Sequence, residues 1–385
     1  MRRPEIHKFN LIITQFFLTP ALFLRIPLSH DLRKPAFTGM LERPETRPGL
    51  FMNTANRIIV ALFILLLIAA VVLHVRESRR QAFYSESRML MDTVISIKSW
   101  PANSGEAVAK AFDEFATVEK QASFHIPESD LSNLNNTGTL GLHVSASELL
   151  QIGVDFYHRT EGYFDPSFAL LQKAYGFYDE KGRLPSDEEV SQMLATGCGL
   201  DRVLARDDER WLLAPGSLLD FGGLAGGYAI ERAKMVLRAA SCSAFLIDDA
   251  GDIWFEGQKP DGKPWRIAVR DPRDNTALAY VESHQPLAVS TSGDYERFII
   301  IDGRKYGHIM NPLTGRPVDY YSSVTVVASD SLTADALSTA VFAMPPEKAF
   351  TWVDAQNLPV LFLTATGSIH LSQAGRAVFT GVKEK

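Results

Sequence analysis

A short run at residues 333–339, TADALST, places a carboxylate and two hydroxyls at helical spacing. Ser338 and Thr339 follow Asp335 by three and four residues, so on a helix all three oxygens share one face. That set suits a hard cation that also takes phosphate oxygens, as Mg2+ does. The plainer alternative is a helix start capped by Thr333. His308, within YGHIMNPLTGRP, is the best general-base candidate because imidazole changes charge near neutral pH; a purely structural histidine is its alternative. In GYFDP, Asp165 precedes a proline that pushes its backbone to the extended region and restricts where the carboxylate points. A turn-forming aspartate would look the same. Between these lies LDFGGLAGGYA at 219–229, where Asp220 is followed by Gly222, Gly223, Gly226 and Gly227. Glycines admit a bulky anion close to the backbone, and the open first turn of a helix favours phosphate. The stretch lacks a P-loop ending and dinucleotide-fingerprint spacing. Alone, it is equally a tight strand-to-helix turn.

Alternating strands and helices must position these groups. Strands are expected over 94–98, 202–205, 210–214, 244–247, 253–256, 265–269, 278–282, 298–301, 324–328, 360–363 and 369–371. Expected helices cover 105–121, with Val108, Phe112, Phe115 and Val118 on one face, then 145–157, 228–240, 333–342 and 347–356. Ser186 and Glu189 form a capping box ahead of another helix, and 129–136 reads as a polar loop. The pattern predicts an α+β fold, a single large mixed domain over 81–382 with a mostly antiparallel sheet.

An apolar fraction of 46% with 22% charged residues describes an ordinary globular chain, and a formal charge of -6 argues against nucleic acid as partner. The unbroken apolar run at 58–73 predicts a transmembrane or signal-anchor helix over 57–75, preceded by an N-terminal extension at 1–56. Arg2, Arg3, Lys8, Arg25, Arg33, Lys34, Arg43, Arg47 and Arg57 favour a cytoplasmic N-terminal side. A second apolar patch at 11–26 and a leader-like MNTANR from Met52 suggest a mis-called start. Cys198 and Cys242 are too few for a disulfide scaffold; two small buried hydrophobes are expected, with one bridge as the alternative in an exported domain.

Taken in order, MDTVISI at Met91, SDLSNLN at Ser129, GYFDP, LDFGGLAGGYA, AGDI at Ala250, STSGDYERF, GHIMNPLTGRP and SVTVV followed by TADALSTA resemble the ApbE-type FAD:protein FMN transferases. The resemblance spans nearly all of 89–382. It implies a Mg2+-dependent enzyme that takes FAD as substrate, releases AMP, and joins FMN through a phosphoester to a Ser or Thr of an electron-transfer flavoprotein. It further implies a domain outside the cytoplasmic (inner) membrane, on the periplasmic side, held by the N-terminal helix. Position by position, Met91, Phe124, Tyr163, Phe164, Asp165, Asp220, Gly226 and Ile309 would line the FAD site. Gly223, through its carbonyl, with Asp335, Ser338 and Thr339 would hold the metal, and His308 would be the base or orienting group. Phe124 stands where a Tyr or Trp is common, Gly226 where a Lys is common, and Asp248 where an Asn is common. The same fold could instead give an FAD pyrophosphatase, with water replacing the protein hydroxyl, or a non-catalytic, membrane-anchored flavin-binding assembly protein.

Overall fold

The computed structural model describes residues 53–179 and 181–383. The extension at 1–52, with its apolar patch and most of its basic residues, lies outside them. The chain divides into two units, Met1–Phe63 and Ile64–Lys385. In the first, the described part is the opening of helix α1 (Thr54–Gln81). This is the one helix among the described residues long and apolar enough to cross a membrane, and its apolar side chains at 58–73 are exposed.

In the second unit, eight strands form an antiparallel sheet whose spatial order is the chain order: β1 (Tyr84–Leu90), β2 (Thr93–Trp100), β3 (Ala244–Asp249), β4 (Asp252–Gly257), β5 (Leu287–Gly293), β6 (Tyr321–Ala328), β7 (Val360–Thr364) and β8 (Ile369–Leu371). Side chains alternate across the sheet, so each strand feeds two cores. Phe245, Ile247, Val324, Val326, Val360 and Phe362 face three helices: α2 (Gly105–Ala122), α3 (Ala225–Ala239) and α4 (Ser331–Ala343). On the other face, Ala244, Val327, Leu361 and Leu363 pack against a small sheet of Trp265–Arg270, Ala277–Ser283 and Phe379–Thr380. The result is three layers in an α+β fold.

Helix α2 buries Val108, Phe112, Phe115 and Val118, and the Ser186–Glu189 capping box is formed in both directions. Three local expectations are corrected. The stretch at 129–136 is not a loop but the helix Asp130–Thr137, because Ser129 caps it, Leu131 and Leu134 reach the core, and Gly138 closes it in the left-handed region. At 202–205 a helical turn, Leu200–Val203, precedes the strand Leu204–Arg206. Helix α4 is capped by Asp330, not Thr333: its carboxylate accepts the Thr333 N–H at 2.7 Å. Cys198 and Cys242 are both free.

Candidate active site

The glycine-rich stretch is fixed before its helix begins. Asn135 brackets Leu219, donating from its amide to the Leu219 carbonyl at 2.9 Å and accepting the Leu219 N–H at 2.8 Å. Asp220 donates its N–H to the Pro166 carbonyl at 2.9 Å, which ties GYFDP to the same point. Phe221 and Leu224 enter the core, leaving Gly222 exposed and Gly223 half-buried.

Helix α3 starts without a side-chain cap of its own. Asp335 of α4 supplies one, its Oδ2 accepting the Gly227 N–H at 2.8 Å. The approach depends on glycine, since a Cβ at Gly227 would stand 2.6 Å from the Ser331 carbonyl oxygen. At Gly223, a Cβ would stand 2.8 Å from Thr339 Oγ1. Gly223, distant in sequence from Asp335 and Thr339, is therefore brought to them where α3 and α4 meet.

A buried polar network runs behind them. Ser338 donates to the Asp335 carbonyl at 2.9 Å and shares contacts with Ser290 at 3.0 Å and Ser292 at 2.8 Å. Ser290 in turn makes a very short bond to the Asp252 carboxylate. Ser338 is 1% exposed and its hydroxyl is committed to this network. It ties α4 to β5, while Thr339 beside it is half-buried.

Around Gly226 three carboxylates converge. Asp249 Oδ2, Asp252 Oδ2 and Asp335 Oδ2 lie 3.1, 3.3 and 3.5 Å from where a Cβ would be. The sheet order brings the first two there, since Asp249 ends β3 and Asp252 opens β4 across a tight turn. None of the three is in an ion pair with a described basic residue. Burial pushes the Asp249 carboxyl up to about 8, helped by the neighbouring Asp252. The same two causes raise Asp335, and burial raises Asp252. A cation would remove that penalty, letting the carboxylates ionise and releasing protons as it binds. Among the described residues no three His, Cys, Asp or Glu side chains form a metal-holding group. The Asp335 carboxylate, the Thr339 hydroxyl and the Gly223 carbonyl are all oxygen groups of the kind that could hold a hard cation.

His308 lies close enough to Asp220 for that charge to act on it. Its Nδ1 is 3.1 Å from the Arg297 carbonyl, which can only accept, so Nδ1 carries the proton and Nε2 keeps a free lone pair. Burial and the Arg297 guanidinium hold the imidazole down at about 4, so it is neutral at physiological pH. Gln172 donates to the His308 carbonyl at 3.0 Å. Asp220 accepts from Gly222 at 2.8 Å and from the Tyr178 hydroxyl at 2.7 Å. Tyr178 also stacks on Phe124, with ring centroids 4.1 Å apart and planes at 17°.

The other expected flavin residues are distributed unevenly. Met91 sits in the β1–β2 turn with φ of 53° beside Asp92 at 62°, a left-handed pair that costs energy without glycine. Tyr163 is half-buried, and Ile309 is buried at the edge of the main core. The Phe164 ring is inside the core against Phe156, so only its backbone faces outward chemistry. Asp165 has the extended backbone expected before proline, but its carboxylate is spent on the N–H and hydroxyl of Ser167 at 2.8 and 2.6 Å. Burial raises it to about 6. Asp248 accepts the Gly251 N–H in the β3–β4 turn and so serves that turn. A cavity of about 660 Å³ lined by Tyr175, Asn311, Arg316 and Tyr320 contains none of Asp220, His308 or Asp335. Asp249, Tyr178 and Gln172 were not expected from the sequence; only Asp252 and the Ser290–Ser292 pair lay inside motifs that stood out.

The ApbE family model matches residues 91–362. Curated proteins named FAD:protein FMN transferase are similar: that of Vibrio cholerae is 29% identical over 65% of this chain and 76% of its own, and that of Rhodobacter capsulatus 30% over 78% and 59%. Among solved structures, an ApbE protein of Thermotoga maritima superposes with a TM-score of 0.72 at 29% identity, covering 79% of this chain and all 100% of its own. The flavinyl transferase ApbE of Pseudomonas stutzeri, in its apo form, gives 0.69 at 29% identity over 77% and 97%. With the match covering the sheet from β2 into β7, the glycine-rich stretch, His308 and the TADALST helix, this chain belongs to the ApbE family.

Proposed function

We propose that the chain is an FAD:protein FMN transferase, moving FMN from FAD to a Ser or Thr hydroxyl of an electron-transfer flavoprotein and releasing AMP. The observation that carries this reading is the meeting of Gly223, Asp335 and Thr339 at the α3–α4 contact, on the stretch whose Asp220 faces the Tyr178–Phe124 stack. Family membership and the relatives' shared name support it.

In this reading Asp335, Thr339 and the Gly223 carbonyl hold Mg2+, with Ser338 behind them keeping Asp335 and Thr339 in place. Bound there, Mg2+ neutralises charge on the diphosphate and improves AMP as leaving group. Met91, Phe124, Tyr163, Asp220, Gly226 and Ile309, with the backbone at Phe164 and Asp165, line the FAD site. His308 is neutral and offers Nε2, so it accepts the proton of the acceptor hydroxyl as that oxygen bonds to the flavin-side phosphorus. The P–O bond to AMP breaks with its electron pair. The apolar helix α1 anchors the domain in the cytoplasmic membrane, with residues 81–382 on the periplasmic or extracytoplasmic side.

The test is incubation with FAD, Mg2+ and an exported flavoprotein bearing the acceptor Thr, followed by in-gel flavin fluorescence under denaturing conditions. Attachment lost with an acceptor Thr→Val variant and with Asp335→Ala of this chain is the expected result. Free FMN and AMP without attachment would make the chain an FAD pyrophosphatase; FAD binding without turnover would make it a flavin-binding assembly protein.

A further inference from the structure

Phe124 is the ring that the transferase reading gives to the flavin, yet one of its faces is already taken. Tyr178 lies nearly parallel on it at 4.1 Å between centroids, and His125 meets both rings edge-on at 5.7 and 5.6 Å. A third ring between Phe124 and Tyr178 would need a separation of about 7 Å, two carbon contact distances. Tyr178 also reaches a second residue of that site. Its hydroxyl is 2.7 Å from Asp220 Oδ2 and 2.7 Å from Gln172 Oε1. A phenol has one proton, so it can serve only one of these acceptors. The Gln172 amide nitrogen is committed to the His308 carbonyl at 3.0 Å, so turning the amide would break another bond. One oxygen therefore faces the phenol without a hydrogen between them. The ring is well placed by stacking while its polar end is overcommitted.

We propose that Tyr178 is an internal competitor for the flavin ring: it occupies the Phe124 face when no flavin is there, and flavin binds by displacing it. The inference rests on the transferase reading, which supplies the flavin. Rotation of one half-buried side chain frees the Phe124 face and one oxygen of Asp220 together. An enzyme that hands its flavin to another protein must also let the ring go, and returning Tyr178 to Phe124 offsets the stacking lost at that step. FAD affinity is thereby lowered by the fraction of chains in which Phe124 is free.

The test is FAD titration by fluorescence quenching of the full chain, using Tyr178→Ala, Tyr178→Phe, Phe124→Ala and the Tyr178→Ala/Phe124→Ala pair. Removing the ring should tighten FAD about tenfold, the scale of one aromatic stack with a hydrogen bond. Tyr178→Phe, which keeps the stack and drops the hydroxyl contacts, should fall between it and the unmodified chain. In the Phe124→Ala background, removing Tyr178 should give no more than the smaller gain of Tyr178→Phe, because only the freed Asp220 oxygen remains and the stack it competed for is gone. In turnover with the acceptor, Tyr178→Ala should lower KM for FAD and lower kcat. Weaker or unchanged FAD binding in Tyr178→Ala, or an equal gain without Phe124, would overturn the competitor role while leaving the transferase reading intact. If neither the unmodified chain nor any variant binds FAD, the transferase reading itself fails, and this inference with it.

Discussion

Asp335 caps α3 through Gly227, and one turn further along α4 Thr339 stands against Gly223. Without a cation the Asp335 charge is a burden, since burial and Asp252 raise its carboxyl above the ordinary range. A carboxyl raised in the fold ionises more readily in the unfolded chain, so stability drains away as pH rises from the ordinary carboxylate range toward the folded value. Asp335→Asn can still accept from Gly227, and metal-free it should melt a few degrees higher than the parent at pH 8 with the gain vanishing toward pH 4, read by thermal unfolding. The same variant should lose on the order of 100-fold or more in transfer rate, in line with the several kcal/mol a bound cation supplies. For His308 the expectation concerns pH. Its folded imidazole is held at about 4, so the required neutral form persists as pH falls through 6.5 and is lost only as pH drops through about 4. The pH profile of kcat/KM, which reports the free enzyme, should show its acid limb there; a limb at 6.5 or above would contradict the assignment. His308→Gln should cost about 100- to 10,000-fold in transfer while FAD affinity in a fluorescence titration stays within about threefold.

Helices α3 and α4 meet as closely as they do because residue 227 has no side chain. Gly227→Ala would press a methyl onto the Ser331 carbonyl, and about 1–3 kcal/mol of stability should be lost in denaturant unfolding, with Mg2+-dependent activity falling alongside. An unchanged midpoint would show that the helices part easily and that the cation seat is not pinned at this contact. Elements with strong local patterns were legible in advance: α2 from its spaced aromatics, the helix Asp187–Thr196 from its capping box, β7 from its apolar run. Strand β5 was hidden because LAVSTSG carries polar residues that normally mark a loop; here Ser290 and Ser292 turn inward and bond Ser338. The helix Asp130–Thr137 was hidden by its asparagines, one of which is spent bracketing Leu219 from 84 residues away. The motif glycines and the Asp335 face could be picked out from spacing. Asp249 at Gly226 and Tyr178 on Phe124 could not, because each contact exists only once the sheet order and the helix insertions bring distant segments together.

At the scale of the whole chain, one sheet built in chain order carries long insertions, and the candidate site is assembled from several of them: α2 to α3 between β2 and β3, the β5–β6 segment with His308, and α4 between β6 and β7. The apolar α1 lies before all of these elements, so cutting at residue 81 leaves every expected site residue in place. We expect the 81–383 fragment to be recovered from the aqueous phase with transfer activity within about threefold of the full chain, and the full chain to partition with detergent. Loss of folding in the fragment, seen by circular dichroism, would place α1 within the domain's own structure. In the transferase reading, FAD cleavage is coupled to a protein hydroxyl. The most direct test of that coupling counts two products from one reaction of the full chain with FAD, Mg2+ and the acceptor flavoprotein: AMP by chromatography and attached FMN by intact mass. One attached FMN per AMP is the expected result, with AMP release falling to background when the acceptor Thr is replaced by Val. AMP and free FMN appearing at the same rate without the acceptor hydroxyl would contradict it.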